Sequence, residues 1–327
     1  MSRHLERNLK KAFGDLTETP DLTEIAVNAD RSVWIARNGD PYMRQINLPL
    51  PETEARALAD DLTGEDPISE NNPSGGSLFF MDGSLWRSQV ILNPLIEGAV
   101  AFALRRTVVR RFSLDDLVAG SEIGGLTEEL KTGISQENEA VFAAYDQGDF
   151  VTFLRAAVQA KWNILLSGGT DSGKTTWLRA CLECADPTER VITIEDTREI
   201  YPNHANHLSM LVNETTTSSD LLKISLRLRP DRILMGELRG ADAYDFLSAI
   251  NSGHPGGITT LHASSPDTAL SRLALMVMQA ETGLTFSEII EYCRSMIDVV
   301  VQFKKVNGIR KPSGVEIFRP RTSNAEE

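Results

Sequence analysis

Hydrophobic and polar positions follow two different patterns along the 327 residues of the chain. In the first part, short apolar runs stand between turn residues. This pattern predicts strands over residues 24–28 and 32–37, and a hairpin over residues 77–93 with its turn at Asp82-Gly83. A helix beginning at Pro51 separates them, because proline suits the first helical position and acidic residues follow it. The first part is therefore expected to form an α+β domain.

From residue 135 onward, helical patterns alternate with short apolar or β-branched runs. Such runs predict buried parallel strands, because both faces of a parallel sheet are covered. The predicted strands are residues 163–167, 191–194, 232–235 and 257–261. A hairpin with an Asn307-Gly308 turn follows them. The pattern predicts a doubly wound, mostly parallel α/β sheet in a C-terminal domain of residues 135–327, after a smaller N-terminal domain with a linker, residues 1–134.

Composition is that of an ordinary globular protein, with 41% hydrophobic and 24% charged residues. No apolar run approaches the roughly 20 residues that cross a bilayer. The N-terminus lacks the apolar core of a secretory signal, so we expect a cytoplasmic protein. Cys181, Cys184 and Cys293 are too few for a disulfide framework or a four-ligand zinc site, and no metal cluster is predicted.

The net charge of −13 is concentrated in the first half of the chain. Residues 1–150 contain 25 acidic and 14 basic residues, whereas residues 151–327 contain 21 and 19. Proteins that follow nucleic acid backbones usually present a basic face. The acidic balance therefore argues against nucleic acid binding as the main role.

A glycine-rich motif lies between strand 163–167 and a helical pattern. It fits G-x-x-x-x-G-K-[ST], the phosphate-binding loop, with Gly168, Gly169, Thr170, Asp171, Ser172, Gly173, Lys174 and Thr175. Glycines let backbone N–H groups turn toward phosphate oxygens, and the helix N-terminus adds positive potential. Lys174 is predicted to reach the β- and γ-phosphates and Thr175 to ligate Mg²⁺. ATP or GTP is the predicted ligand.

Carboxylates end the next two predicted strands. Glu195, Asp196 and Glu199 end or follow one strand, and Glu237 follows the other after Gly236. Ligands of such folds bind at the carboxyl edge of the sheet, where a phosphate-binding loop needs groups for Mg²⁺ and for the attacking water. Gly236 stands where an aspartate is usual, which leaves Glu237 to act on the water or the metal shell. From the sequence, the three glutamates could exchange these roles.

His262 ends the fourth predicted strand at the same edge, where a histidine can sense a γ-phosphate. Arginines form two further groups. Arg227, Arg229, Arg232 and Arg239 flank the second acidic segment, and Arg105, Arg106, Arg110 and Arg111 cluster in the acidic first domain. Guanidinium groups pair phosphate bidentately. The cluster in the first domain is therefore either solvated surface or a phosphate clamp across the domain interface.

Four segments occur in one order: GGTDSGKTT, VITIEDTRE, LRLRPDRILMGELRG and SGHPGGITTLHASSP. Together they resemble the Walker A motif, Asp box, Walker B motif and His box of the secretion-superfamily traffic ATPases, most closely those of type IV secretion and conjugation systems. The resemblance implies a RecA-like fold and a homohexamer. It also implies ATP with Mg²⁺ bound between the two domains, and docking on an inner-membrane secretion channel with its coupling proteins.

The resemblance also implies roles for individual residues. Glu195 is the leading general base, and Glu237 acts through water or Mg²⁺. His262 links the γ-phosphate state to domain position. Arg239 is a further catalytic residue. Thr176 extends the nucleotide-binding loop that begins at Gly168. The phosphate-contacting arginine of the N-terminal domain is expected to be Arg105, with Arg106 and Arg87 as alternatives.

These inferences predict an ATP-hydrolysing hexameric motor for substrate translocation, pilus biogenesis or both, on the cytoplasmic face of the inner membrane. The alternatives are a type IV pilus or type II secretion motor, and a nucleotide-switched docking scaffold with little turnover. Leu5, Leu9, Phe13 and Leu16 recur at helical spacing with basic residues between them. This first helix either lies on a membrane surface or packs against the protein.

Overall fold

The computed structural model describes residues 3–64, 67–107 and 136–319. Their strands form two seven-stranded sheets, one from each part of the chain. The predicted boundary between residues 134 and 135 lies outside the described residues, as do Arg110 and Arg111.

The N-terminal sheet is antiparallel, with strand order β3-β2-β1-β7-β6-β4, and β5 also pairs with β6. Both predicted strands and the predicted hairpin are present. The strands are β1 (Leu22–Val27), β2 (Val33–Arg37), β3 (Arg44–Ile46), β4 (Ser74–Gly75), β5 (Leu78–Met81), β6 (Ser84–Leu92) and β7 (Val100–Thr107).

Two helices, α1 (Arg3–Phe13) and α2 (Glu52–Leu62), cover one face of this sheet. Pro51 caps α2 and is not its first residue, which shifts the predicted start by one position. Leu9 and Phe13 of α1 are buried in the same apolar cluster as Trp86 of β6. The first helix therefore packs against its own domain, as one of the two sequence interpretations requires.

The C-terminal sheet has strand order β10-β9-β11-β12-β8-β13-β14, and every neighbouring pair is parallel except β13 with β14. Its strands are β8 (Ile164–Gly168), β9 (Val191–Glu195), β10 (His207–Leu211), β11 (Arg232–Met235), β12 (Ile258–Leu261), β13 (Val299–Val306) and β14 (Ile309–Ile317). The strands β8, β9, β11 and β12 are buried along their whole length, as both covered faces require.

Helices surround this sheet: α3 (Gln136–Asp146), α4 (Phe150–Gln159), α5 (Lys174–Leu182), α6 (Ser218–Ser225), α7 (Asp242–Asn251), α8 (Pro266–Met278) and α9 (Phe286–Met296). Hydroxyl side chains cap the starts of α6, α8 and α9 with reciprocal hydrogen bonds. Cys181 is buried in α5, and burial raises the pKa of its thiol to about 12, so it packs as an apolar side chain. Among the described helices, none has the length and apolar character needed to cross a membrane.

The second face of the N-terminal sheet packs on the C-terminal domain in one shared apolar cluster. Polar bonds join the domains as well: Asn28 donates to Asn206 at 3.1 Å, and buried Arg190 donates to Asn28 at 2.6 Å. The loop between β6 and β7 also reaches the edge strand β10, where Ile96 forms a β-bridge with Met210. The N-terminal domain therefore contacts the edge strand β10 and the residues just before β9 and β10.

Candidate active site

A polar cavity of about 540 Å³ lies at the carboxyl edge of the C-terminal sheet. It forms where the phosphate-binding loop after β8 meets the ends of β9, β11 and β12, because the carboxyl ends of parallel strands share one edge. Most of the predicted site residues line it: Thr170, Asp171, Ser172, Gly173, Lys174, Thr175, Thr176, Glu195, Glu237, Arg239 and His262. Motifs separated by almost 100 residues are thus brought to one place.

The phosphate-binding loop needs its glycines at two positions. A Cβ on Gly168 would lie 2.4 Å from Ser172 Oγ and 2.6 Å from the Phe303 carbonyl oxygen, so only glycine fits where β8 ends. Gly173 has a φ of +90° as it starts α5, a conformation that glycine adopts without strain. The loop then delivers Lys174 to the cavity at the helix N-terminus, where positive potential favours phosphate.

Lys174 is buried and points back along the loop. Its Nζ donates to the carbonyl oxygens of Gly168 and Gly169 at 3.0 and 3.2 Å. Burial lowers the pKa of Lys174, and the charge of Glu237 opposes that shift. The ammonium group is therefore held inside the loop at the position from which it can meet phosphate oxygens.

A continuous polar chain leads from Lys174 across three motifs. Lys174 Nζ lies 3.4 Å from His262 Nδ1, and His262 Nε2 lies 3.0 Å from Glu237 Oε1. Because an ammonium group can only donate, His262 accepts at Nδ1 and donates from Nε2 to Glu237. Burial and the charge of Lys174 lower the pKa of His262, which keeps the ring neutral in this tautomer at pH 7. Arg239 closes the chain by pairing with Glu237 Oε2 at 3.1 Å and with Asp196.

Glu195 differs from Glu237 in how its carboxylate is held. Its Oε1 accepts the backbone N–H groups of Glu199 and Ile200, both at 3.0 Å. Its Oε2 is buried and has no protein partner. Burial raises the pKa of Glu195, and the two backbone bonds oppose the shift. Glu195 thus has one oxygen fixed by backbone N–H groups and one oxygen without a protein partner.

Close packing against Glu195 explains why the residue after β11, position 236, is glycine and not aspartate. A Cβ on Gly236 would lie 3.2 Å from Glu195 Cγ. The Gly236 carbonyl accepts the Thr260 hydroxyl at 2.8 Å, which ties β11 to β12. A carboxylate side chain at position 236 would occupy the space that Glu195 fills.

Within residues 3–64 and 67–107, no arginine of the N-terminal domain lines the cavity. Arg105 lies opposite Glu24 on β1, and the Arg105 Nε to Glu24 Oε1 distance is 3.4 Å. Arg229 of the C-terminal domain binds the other oxygen of Glu24 at 2.9 Å. Arg106 donates to the Thr19 carbonyl at 2.8 Å. In this arrangement Arg105 belongs to a domain-bridging ion cluster.

Arg310 of β14 lines the cavity although it belongs to no sequence motif. Its Nε donates to the Asp171 carbonyl at 3.0 Å. Both Lys305 and Arg310 pair with the Asp171 carboxylate and lower its pKa to about 2. The only sequence signal is the pair of basic positions on either side of the Asn307-Gly308 turn. The β13–β14 hairpin is thereby fastened to the phosphate-binding loop.

The residues around the cavity suit the magnesium complex of a nucleoside triphosphate. The hydroxyl of Thr175 lines it beside the carboxylates of Glu237 and Asp196, and oxygen atoms are the ligands that Mg²⁺ prefers. The unpartnered Glu195 Oε2 is a further acceptor there. The described residues contain no cluster of three or more His, Cys, Asp or Glu side chains that would hold a metal ion alone. The oxygen donors therefore fit a metal that shares phosphate ligands.

The loop, the acidic strand ends and the parallel sheet define a P-loop ATPase. Residues 138–307 match the family model described as "Type II/IV secretion system protein". The type IV secretion system protein VirB11 of Bartonella henselae is 37% identical over 311 residues, covering 88% of this chain and 86% of that protein. Protein VirB11 of Agrobacterium fabrum is 33% identical over 318 residues, covering 91% and 89%.

A solved structure agrees with these relatives. The VirB11 ATPase from the Brucella suis type IV secretion system, in complex with sulphate, superposes with a TM-score of 0.86 and 29% sequence identity. The match covers 96% of this chain and 97% of that one. The chain belongs to the type II/IV secretion system protein family and is a type IV secretion traffic ATPase. The predicted family, the RecA-like α/β fold and ATP hydrolysis are confirmed.

Proposed function

We propose that the chain forms a homohexameric motor that couples ATP hydrolysis to substrate translocation, pilus biogenesis or both in a bacterial type IV secretion system. The observation that carries the proposal is the polar chain from Lys174 through His262 and Glu237 to Arg239 and Asp196. It joins all four motifs at one cavity. A change at the phosphate end of this chain therefore alters contacts at three strand ends.

Within this proposal, Glu195 is the general base. Its Oε2 has no protein partner, which leaves this oxygen for the proton of an attacking water, and burial makes the carboxylate more basic than an exposed one. Both oxygens of Glu237 already bind protein cations or donors, through His262 and Arg239. This difference favours Glu195 over Glu237 for proton abstraction.

Lys174 neutralises charge on the β- and γ-phosphates, since its Nζ needs only to exchange two carbonyl oxygens for phosphate oxygens. Mg²⁺, when bound with ATP, supplies further neutralisation of phosphate charge. Thr175, and Glu237 through water, would hold it. His262 links the phosphate state to the acidic strand end, because its two ring nitrogens contact Lys174 of the phosphate-binding loop and Glu237 after β11, and in this proposal the change is passed on to domain position.

Assembly and location complete the proposal. A ring with domains 1–134 and 135–327 in each subunit would dock on the cytoplasmic face of an inner-membrane channel and its coupling proteins. Arg105 remains the N-terminal candidate for a phosphate contact, and it would have to leave Glu24 to make one. The net charge of −13 supports a role other than nucleic acid binding.

A transport assay tests the proposal against a scaffold that binds ATP with little turnover. Glu195→Gln and Lys174→Ala are introduced into a secretion-competent cell, and the variants are compared at equal protein level. A motor loses transport in both variants. Transport that survives Glu195→Gln, with turnover abolished, would contradict the motor and support the scaffold.

A further inference from the structure

The loop between β6 and β7 touches the C-terminal domain on both sides of Glu195. The Leu95 carbonyl accepts the N–H of Leu211 at 2.8 Å, and Leu211 is the β10 residue paired in register with Glu195. Two residues further on, the Glu97 carboxylate pairs with Arg198. The N-terminal domain thus contacts the strand beside the proposed base and the segment that follows it.

Arg198 lies within the segment that fixes Glu195. The N–H groups of Glu199 and Ile200, which follow Arg198 directly, hold Glu195 Oε1. The Arg198 guanidinium also lies 4.7 Å from the centre of the Tyr201 ring, so it is clamped between Glu97 and an aromatic face. Displacing Arg198 would move the two N–H groups next to it in the chain.

We propose that Glu97 is a positioning residue for ATP hydrolysis: through Arg198, it holds residues 196–200 in the conformation that fixes Glu195. The inference rests on the proposed role of Glu195 as the base. It assigns a function to the domain contact, since a shift of the N-terminal domain would loosen the proposed base without touching the phosphate-binding loop. Glu97 is mostly exposed, so the effect of the single pair is modest.

Hydrogen exchange of the full chain tests the link directly. The Glu199 and Ile200 amides report the bonds to Glu195, and Glu97→Gln should speed their exchange about 1.5- to fivefold, the range of an exposed ion pair. Glu70→Gln is the matched control, because Glu70 is an exposed carboxylate of the same domain with no ion pair among residues 3–64, 67–107 and 136–319. It should leave both amides unchanged.

Turnover gives the second readout. Glu97→Gln should lower kcat by about the same 1.5- to fivefold and leave the KM for ATP unchanged, because the contacts of Lys174 are untouched. Exchanging the charges, Glu97→Arg with Arg198→Glu, should restore exchange and kcat in part, because the ion pair returns and the contact of Arg198 with Tyr201 does not. A residue that only supports folding would change the melting temperature and would not be rescued by this exchange of charges.

Unchanged exchange at Glu199 and Ile200 in Glu97→Gln would overturn the inference. Faster exchange that the charge exchange fails to restore even in part would also overturn it. These results are independent of the motor proposal, because exchange needs no turnover. Failure of the proposed function is recognised separately, as ATP turnover that persists in Lys174→Ala.

Discussion

Replacing Glu195 by glutamine isolates the proton-accepting role of one carboxylate oxygen. The glutamine carbonyl can keep both N–H bonds from Glu199 and Ile200, so the segment after β9 stays in place. The other position changes from an unpartnered oxygen to an amide nitrogen that cannot accept a proton. The substitution therefore removes the base and preserves its surroundings.

The expected magnitude follows from this geometry. A positioned general base contributes roughly 10²- to 10⁴-fold to a rate, which corresponds to about 3–5 kcal/mol of transition-state stabilisation. Stability should change by only about 1 kcal/mol, since two charge-assisted hydrogen bonds become neutral ones and a buried charge is removed. Nucleotide affinity should be close to that of the wild type, because Lys174 keeps its contacts.

Steady-state ATPase assays from pH 5 to 9 measure kcat and its dependence on pH. Burial raises the pKa of Glu195, so the wild-type base is protonated at low pH and kcat rises with pH through a pKa above the ordinary value of a glutamate. Glu195→Gln should lose the rise of kcat with pH as well as most of kcat itself. Glu199→Gln serves as comparison, since Glu199 lines the same cavity but holds Glu195 only through its N–H. An equal or greater loss of kcat in Glu199→Gln would refute the assignment.

Two stability predictions concern charged side chains around the sheet. Arg232 is fully buried and binds both oxygens of buried Glu189. Arg232→Met should therefore lower the free energy of unfolding, measured with urea, by about 3–5 kcal/mol. A decrease below about 1 kcal/mol would contradict a stabilising role of the buried pair. Asp171 is paired with Lys305 and Arg310, and its pKa is about 2 in place of 3.8. Its stabilising contribution is present above pH 3.8 and lost as pH falls toward 2, so the melting-temperature difference between wild type and Asp171→Asn should shrink over that interval. A difference that does not vary with pH would show that the pairing is absent in solution.

Strands were predictable where burial favours a run of apolar and β-branched residues. The β11 and β12 segments match the predicted runs almost residue for residue, because apolar and β-branched side chains suit parallel strands that are covered on both faces. Strand β10 was not predicted. It lies at the sheet edge, and His207 and Ser209 interrupt its apolar pattern. An edge strand is specified by its neighbour β9 as much as by its own sequence.

Site residues that were predicted from sequence motifs lie together, because the carboxyl ends of parallel strands share one edge of the sheet. Glu97 and Arg310 were not predicted, since each acts through a contact across more than 100 residues and neither belongs to a sequence motif. Arg105 is the opposite case, because it was predicted as a site residue and does not line the cavity. Its basic cluster suggested a phosphate contact, but the β1–β7 register sets it opposite Glu24. That register is a property of the folded sheet and has no signature in the arginine cluster.

ATP turnover measured against protein concentration, with particle mass followed by light scattering, tests the ring motor most directly. Wild type and Lys174→Ala are compared under the same conditions. For a ring motor, turnover per subunit should rise as a six-subunit species forms and should be abolished in Lys174→Ala, whose ring still assembles. Nucleotide binding by a monomer without turnover, or turnover that persists in Lys174→Ala, would contradict it.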